Sequence, residues 1–478
     1  MRTVHITAFF SVAFILSGSL FSAQTQDAPK GPSLPDAPVA HLIAEGAPHS
    51  AVAQQTNMPQ GPPASSRSNN RPQLTRQQAE QMAIKNNPRI SVSHLLALAQ
   101  HQVMREARAA EMPTSVANVT AVDAQDASRI SAGTITASRL FEHAGAGANL
   151  SQLITDFGRT NHLIAAAKLE EKAQNANAMA TENDILIATD QAFYNTLQAQ
   201  ALYQVAKQNV DMRQATDTQI SELTKNKLKS TLDLSFADVN LSQAKLLMLD
   251  AQNQLDSTMA ALDAVLGLDK EVQYELVDDT AALQSPPDNV DRLVEAGLTQ
   301  RPDLQALNFD QQSAIRFSRA QRDQMLPSIS AAGTVGSVPI RPAQYYVSNW
   351  WGGIGVNLNI PVFNGFLYSA QAKEASLRAQ AAAERSRDLR DQIVRDIHTA
   401  WLAASTAYQR VSVTQEMLKE ANLSLELAQA RYKIGLSSIV ELSQAQYQQT
   451  DAAIGNTNAT YQYRLALATL NYQMGTMP

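Results

Sequence analysis

With 478 residues, 44% of them hydrophobic and 17% charged, the chain has the composition of a folded protein rather than a disordered one. A net charge of −6 gives no electrostatic case for nucleic acid. The absence of cysteine removes disulfides, thiol catalysis, cysteine-ligated metals and a lipid anchor on an N-terminal cysteine.

Residues 1–23 read as a secretory signal peptide. Met1-Arg2 gives the positive start, Ile6 to Leu16 the apolar run, and Ser17-Gly18-Ser19 and Ala23 the small residues near a cleavage point. An uncleaved anchor helix is the alternative, although the run is short for a span. No later stretch reaches the ~18 consecutive apolar residues of a transmembrane helix, so an exported chain of this kind crosses a membrane only as a β-barrel. Residues 24–72, with Pro29, Pro32, Pro35, Pro38 and Gly61-Pro62-Pro63, lack apolar periodicity and are expected to form a disordered, proline-rich leader.

A first structural unit occupies residues 73–270. Thr75 is a candidate N-cap for a helix over Gln77 to Ala110, broken at Asn87-Pro88, with Leu95, Leu98, Val103 and Met104 on its apolar side. Pro113 ends it. Val116, Val119 and Val122, then Ala148, Leu150, Gln152 and Ile154, indicate two strands joined by a loop between Thr114 and Asp156. A long helix follows from Thr160 to Glu222, carrying Ile187, Tyr194 and Leu197. It turns at Leu223 to Ser230 and returns from Thr231 to Leu266, where Gly267 stops it.

Residues 271–288 read as a linker, with Asp278 and Asp279 solvated. A second unit, 289–478, has the same sequence of elements. Met325-Leu326-Pro327 ends a helix and Ser328 to Ile340 is strand-like. Then Trp350, Ile354, Val356, Leu358, Ile360 and Val362 alternate with Trp351, Gly353, Gly355, Asn357 and Asn359. One apolar and one small or polar face is the pattern of a barrel wall with lipid outside and water inside. A soluble, half-buried strand pair has the same alternation. Tyr345, Tyr346, Trp350 and Trp351 cluster where this strand begins, as membrane-interface aromatics do.

The longest periodic stretch runs from Tyr368 to Tyr432. Ile393, Ile397, Trp401, Ala404, Tyr408 and Val411 step by fours and threes, and Leu418, Leu425 and Tyr432 by sevens, which is a coiled-coil seam. Roughly 60 residues at ~1.5 Å each make a rod of about 90 Å. The turn Lys433-Ile434-Gly435-Leu436-Ser437-Ser438 reverses the chain into a return helix ending near Gln473. Three landmarks of the first unit recur in order about 210 residues later. They are Asn87-Pro88 with Arg301-Pro302, Phe157-Gly158 with Asn364-Gly365, and Leu234-Ser235 with Leu442-Ser443. The chain is an internal duplication.

Chemistry-bearing motifs are few. Gly352-Gly353-Ile354-Gly355 lies inside a strand with no helix after it, so it is not a dinucleotide loop. His94 and His101 share a helix but have no third metal ligand nearby. No catalytic constellation is present, so an enzyme is not expected, nor a metal or cofactor.

These features resemble the outer membrane efflux protein family, the TolC-like exit ducts. The likeness covers Leu74 to Gln473. Its carriers are the Thr75…Ala79…Ala83…Asn87-Pro88 opening with its Arg301-Pro302 copy, the strand-to-helix turns at Phe157-Gly158 and Phe363-Asn364-Gly365, and the tip Ala430-Arg431-Tyr432-Lys433-Ile434-Gly435…Val440-Glu441-Leu442. The resemblance implies a mostly α fold with a transmembrane β-barrel portion. In a homotrimer, four strands per chain would build a shared twelve-stranded β-barrel, and the duplicated long-helix hairpins would form an α-barrel tunnel. It implies the outer membrane of a Gram-negative bacterium, with most of the chain in the periplasm. Its partners would be outer-membrane lipid, a periplasmic adaptor protein and an inner-membrane pump. The implied function is the exit duct of a tripartite efflux pump for drugs or other small molecules. The alternatives are the duct of a type I protein secretion system and, outside this class, an exported coiled-coil scaffold without a pore.

The resemblance also implies a periplasmic gate at the helix tips. Tyr432 matches the family's tyrosine and Glu441 the first carboxylate of an acidic ring, with Asp233 its equivalent in the first copy. The second ring position is the neutral Gln444, a frequent arginine is replaced by Ser437, and the usual tip glycine of the first copy is Lys227. A gate less acidic than usual follows, with a Tyr432–Asp233 hydrogen bond as its latch. Glu441 as a plain solvated helix residue is the alternative. Adaptor contact is expected at Leu228, Lys229, Ser230, Gly435, Leu436, Ser437 and Ser438, residues that also build tight turns.

Overall fold

The computed structural model describes residues 72–123, 129–132, 135–139, 143–268, 272, 274–278, 283–340 and 350–477. All lie in one unit, Ser68–Pro478. The expected signal peptide, the leader up to residue 71, Asp279 and the aromatics Tyr345 and Tyr346 lie outside the described residues.

The first half comprises β1 (Gln73–Leu74), α1 (Arg76–Asn86), α2 (Pro88–Ala109), β2 (Thr114–Val122), β3 (Arg129–Ala132), β4 (Ile135–Arg139), β5 (His143–Thr155), α3 (Arg159–Lys225) and α4 (Thr231–Leu266). The second comprises β6 (Glu275–Leu276), α5 (Val290–Gln300), α6 (Pro302–Asp323), β7 (Ser328–Ile340), β8 (Trp350–Asn359), α7 (Leu367–Lys433) and α8 (Ile439–Gln473). Local chemistry sets the helix ends. Thr75 and Gln78 form a capping box on α1, Pro88 and Pro302 open α2 and α6, and Ser230 and Ser438 cap α4 and α8. Helices α3 and α7, 67 residues each, are rods of about 100 Å.

The duplication extends to backbone stereochemistry. Both long helices start after a left-handed pair, Phe157-Gly158 and Gly365-Phe366, and both hairpin tips pass through a left-handed residue, Lys227 and Gly435. Both return helices are followed by a left-handed glycine, Gly267 and Gly475. Each packs on the elbow before a Pro-started helix. A Cβ on Gly267 would lie 2.8 Å from the Asn86 carbonyl oxygen, and one on Gly475 3.0 Å from the Arg301 nitrogen.

Strands β2, β5, β7 and β8 form an antiparallel sheet in that order, leaving β2 and β8 as open edges. Cross-strand partners share a face. One face collects Trp350, Ile354, Val356, Leu358, Val335, Ala331, Ile329, Ala148, Leu150 and Val119. The other collects Asn357, Asn359, Thr334, Ser330, Ser328, Asn149, Ser151, Asn118 and several glycines. Thr334 Oγ1 donates to Asn149 Oδ1 at 2.7 Å on this polar face. Among the described residues neither face is covered: β8 is exposed at every position, Ile354 at 96%. The expected loop between β2 and β5 contains an additional antiparallel hairpin, β3–β4.

The helices repeat the order of the strands. Near the sheet, α2, α3, α6 and α7 lie side by side in that order; farther away the order is α4, α3, α8, α7. Helices α2, α3, α6 and α7 each run directly into or out of their own strand. His162 Nδ1 on α3 meets Asp323 Oδ2 on α6 at 2.7 Å, joining the two halves beside the sheet. Of the residues read as a seam on the longest helix, Ile393, Ile397, Ala404, Val411 and Tyr432 are buried and Trp401, Tyr408, Leu418 and Leu425 partly so. The apolar face assigned to the first helix is not. Leu95 and Leu98 are exposed while Ile90, Ser93 and Ala97 are buried, because α2 is an edge of the helical layer and packs on α3 alone within it.

The stretch read as a linker is a strap. Its β6 pairs in parallel with β1, and Gln200 on α3 both donates to and accepts from the Leu276 backbone. Farther along, Tyr463 on α8 donates its hydroxyl to the Gln284 carbonyl, and Trp401 Nε1 on α7 donates to the Pro287 carbonyl at 2.7 Å. Asp278, expected to be solvated, accepts from the Tyr461 hydroxyl and pairs with Arg464. Its partners lie on α8, nearly two hundred residues away, so the strap crosses three helices in turn.

Candidate functional site

The hairpin tips bring together the residues singled out from the sequence. In the first hairpin, the Leu228 N–H donates to the Leu223 carbonyl at 2.8 Å; in the second, Leu436 does the same to Arg431 at 2.9 Å. These bonds satisfy the last carbonyls of α3 and α7 while the chain reverses. Leu228, Ile434 and Leu436 then project outward, each about seven-tenths exposed.

Tyr432 is buried against Ile220, Ala237, Ala428, Ile439, Leu442 and Ala445, an apolar layer shared by α3, α4, α7 and α8. Lys229 Nζ sits 4.6 Å from the centre of its ring. Burial, and then the Asp233 carboxylate, push the Tyr432 hydroxyl above its ordinary pKa. The expected latch is not formed. Tyr432 Oη is buried without a hydrogen-bond partner. Asp233 is engaged in its own helix, since its carboxylate accepts the Ser230 N–H at 3.3 Å and its N–H donates to Ser230 Oγ at 3.1 Å.

Glu441 occupies the corresponding place in α8, where its N–H donates to Ser438 Oγ at 3.3 Å. Its carboxylate lies 3.3 Å from Arg431 Nε on α7, so the arginine missing at Ser437 is supplied from the other arm of the hairpin. Lys225 pairs with Glu222 at 2.7 Å. Lys227, Lys229 and Lys433 make no ion pair among the described residues.

Above this apolar layer is a polar one that the sequence reading missed. Arg213 on α3 is buried and donates to Gln446 Oε1 at 2.7 Å; Gln446 donates to Thr216 Oγ1, and Thr450 Oγ1 to Asn209 Oδ1. Burial without a carboxylate partner pulls the guanidinium below its ordinary pKa. Ala206, Asn209, Arg213, Thr216 and Ile220 step by threes and fours, so these polar residues occupy seam positions, a signal readable in the sequence. Nearby, Asp217 is pushed above the usual carboxylate range by burial and by Asp238, with Lys245 opposing.

The interface aromatics divide. Trp350 shares the apolar face with Ile354 and Val356. Trp351, its neighbour, points to the opposite, polar face, where it lies over Gly336. At the other end of the sheet, Phe157, Phe363 and Phe366, with Met112 and Leu326, are exposed at the four strand–helix junctions. Among the described residues no group of three or more His, Cys, Asp or Glu could hold a metal, and no helix is long and apolar enough to cross a membrane.

The outer membrane efflux protein family matches residues 79–268 and 293–476, one match for each half. The outer membrane protein TolC of Salmonella enteritidis is 22% identical over 352 residues, covering 70% of this chain and 69% of that protein. TolC of Vibrio cholerae is 23% identical over 360 residues, covering 70% and 76%. Among solved structures, the CmeC outer membrane channel of Campylobacter jejuni superposes with a TM-score of 0.71 at 18% identity, covering 84% of this chain and 85% of that one.

Proposed function

Because the chain belongs to the outer membrane efflux protein family, we propose that it is a homotrimeric outer-membrane channel. It would act as the exit duct of a tripartite efflux pump for small molecules, coupled through a periplasmic adaptor to an inner-membrane transporter. One observation carries the reading: sheet and helical layer have the same left-to-right order and both end in unsatisfied edges. Four strands cannot close on themselves, and an open edge is not tolerated in lipid. The helical edges make the same demand. On α4, Leu232, Phe236, Val239, Leu246 and Leu249 form an exposed apolar stripe; on α7, Leu402, Val413, Met417 and Leu427 form another. Joining α4 of one copy to α7 of the next, and β2 to β8, closes wall and tube together.

The apolar sheet face would meet lipid, with Trp350 near one boundary and Phe157, Phe363 and Phe366 near the other. Rods of about 100 Å reach far beyond a ~30 Å hydrocarbon core, so most of the chain would be periplasmic. Exposed Leu228, Ile434 and Leu436, with Lys229, Ser230, Gly435, Ser437 and Ser438 around them, present a surface for an adaptor at the far end. Tyr432, Asp233 and Glu441 are proposed to shape the closed gate, with the Lys229–Tyr432 and Arg431–Glu441 contacts in place of the expected latch. The test is single-channel recording in planar bilayers: a duct gives discrete conductance steps, and a scaffold without a pore gives none.

A further inference from the structure

Between the last turn of one helix and the first turn of the next, the two hairpins carry five cations, Lys225, Lys227, Lys229, Arg431 and Lys433, against three anions, Glu222, Asp233 and Glu441. This end is therefore net positive in a chain whose total charge is −6. Every one of the three anions is committed. Glu222 pairs with Lys225, Glu441 with Arg431, and Asp233 with the backbone at the start of α4. Lys227 and Lys433 remain exposed with no ion pair among the described residues. The next carboxyls inward are Asp217, Asp238 and Glu426, one turn or more behind the tips; of these Asp217 is held towards its neutral form by burial and then by Asp238. The helix dipoles do not offset this surplus, because two C-terminal ends and two N-terminal ends meet there.

We infer that the hairpin tips form an electropositive ring that selects for small anions, with Lys227 and Lys433 as its determinants. The inference rests on the duct reading, in which copies arrange their tips around one axis and repeat the surplus around it. At about 0.1 M salt the screening length is ~10 Å, so any constriction narrower than roughly 20 Å lies wholly within the field of these side chains. A ring of one sign at a constriction concentrates counter-ions there.

The test uses the full chain in planar bilayers under a KCl gradient of about 0.01 to 0.1 M, with the zero-current potential as readout. Chloride is expected to permeate at least about twofold better than potassium. The double variant Lys227→Gln with Lys433→Gln should abolish or reverse that preference, and about 1 M salt, with a screening length of ~3 Å, should erase it in the wild type. Discrete channels that prefer potassium would overturn the inference and leave the duct reading standing. So would a chloride preference that the double variant does not change. The absence of any conductance would remove the duct reading itself, and the inference with it.

Discussion

Two buried carboxylates share one half-buried guanidinium where α1 packs on α3. Glu80 is 6% exposed and Asp190 1%. Arg76 Nη1 lies 2.7 Å from Glu80 Oε1 and 3.3 Å from Asp190 Oδ2. A single cation does not compensate two desolvated carboxylates, and a proton held between them does. Burial first, then the hydrogen bond to Asp190, raise Glu80 to about 7, against the opposing pull of Arg76. An acid whose folded pKa is raised is protonated more readily in the native state than in the unfolded one. Its contribution is thus largest at low pH, falls as pH climbs from about 4.5 through about 7, and levels off above. The rise corresponds to at most about 3 kcal/mol. Glu80→Gln keeps the neutral form at every pH and should flatten that dependence. A chain this long does not guarantee two-state unfolding, so the assay is hydrogen exchange of the α1 amides between pH 5.5 and 8, corrected for intrinsic rates. The wild type should lose local protection as pH rises and Glu80→Gln should not. Equal slopes in the two proteins would refute the reasoning.

Three further perturbations have definite signs. Lys227 adopts φ +58, a left-handed conformation that penalises a Cβ, so Lys227→Gly should stabilise the first tip by about 1 kcal/mol, read as slower proteolytic nicking there. Gly267→Ala places a Cβ 2.8 Å from the Asn86 carbonyl at φ +70 and should lower thermal stability in detergent by roughly 2 kcal/mol or more; Gly353→Ala, with nothing within 4 Å, should be neutral. Tyr432→Phe with Glu441→Ala removes the partnerless hydroxyl and the Arg431 pair, and should raise single-channel conductance and sensitivity to large antibiotics. Unchanged conductance would reject the gate.

Much of the fold was legible in the sequence because its punctuation is local. Asn87-Pro88, Gly267, Met325-Leu326-Pro327 and Ser438 each fix a boundary by their own backbone chemistry, and the period-two pattern of Trp350 to Asn359 fixes which side chains share a face. What escaped depends on distant partners. β1 and β6 have two residues each, too few for any periodic signal, and Asp278 finds Tyr461 and Arg464 only after both hairpins have formed. At the tips, residue types located Tyr432, Asp233 and Glu441, but not how their polar groups are spent. A capping box turns Asp233 towards Ser230 on its own helix, and Arg431 on the facing arm pairs with Glu441, so the expected Tyr432–Asp233 bond is not formed within the chain. Leu95 and Leu98, on the apolar side of the first helix, are exposed, and amphipathicity does not say whether such a face is covered by the same chain or by another.

That last ambiguity is where the central claim can be tested most directly, by the mass of the detergent-extracted full-length protein in native mass spectrometry. Open edges at β2 and β8, and matching apolar stripes on α4 and α7, call for a closed ring of three chains, with lone chains absent after gentle extraction. A protein that stays a single chain, folded and soluble without detergent, would contradict the account.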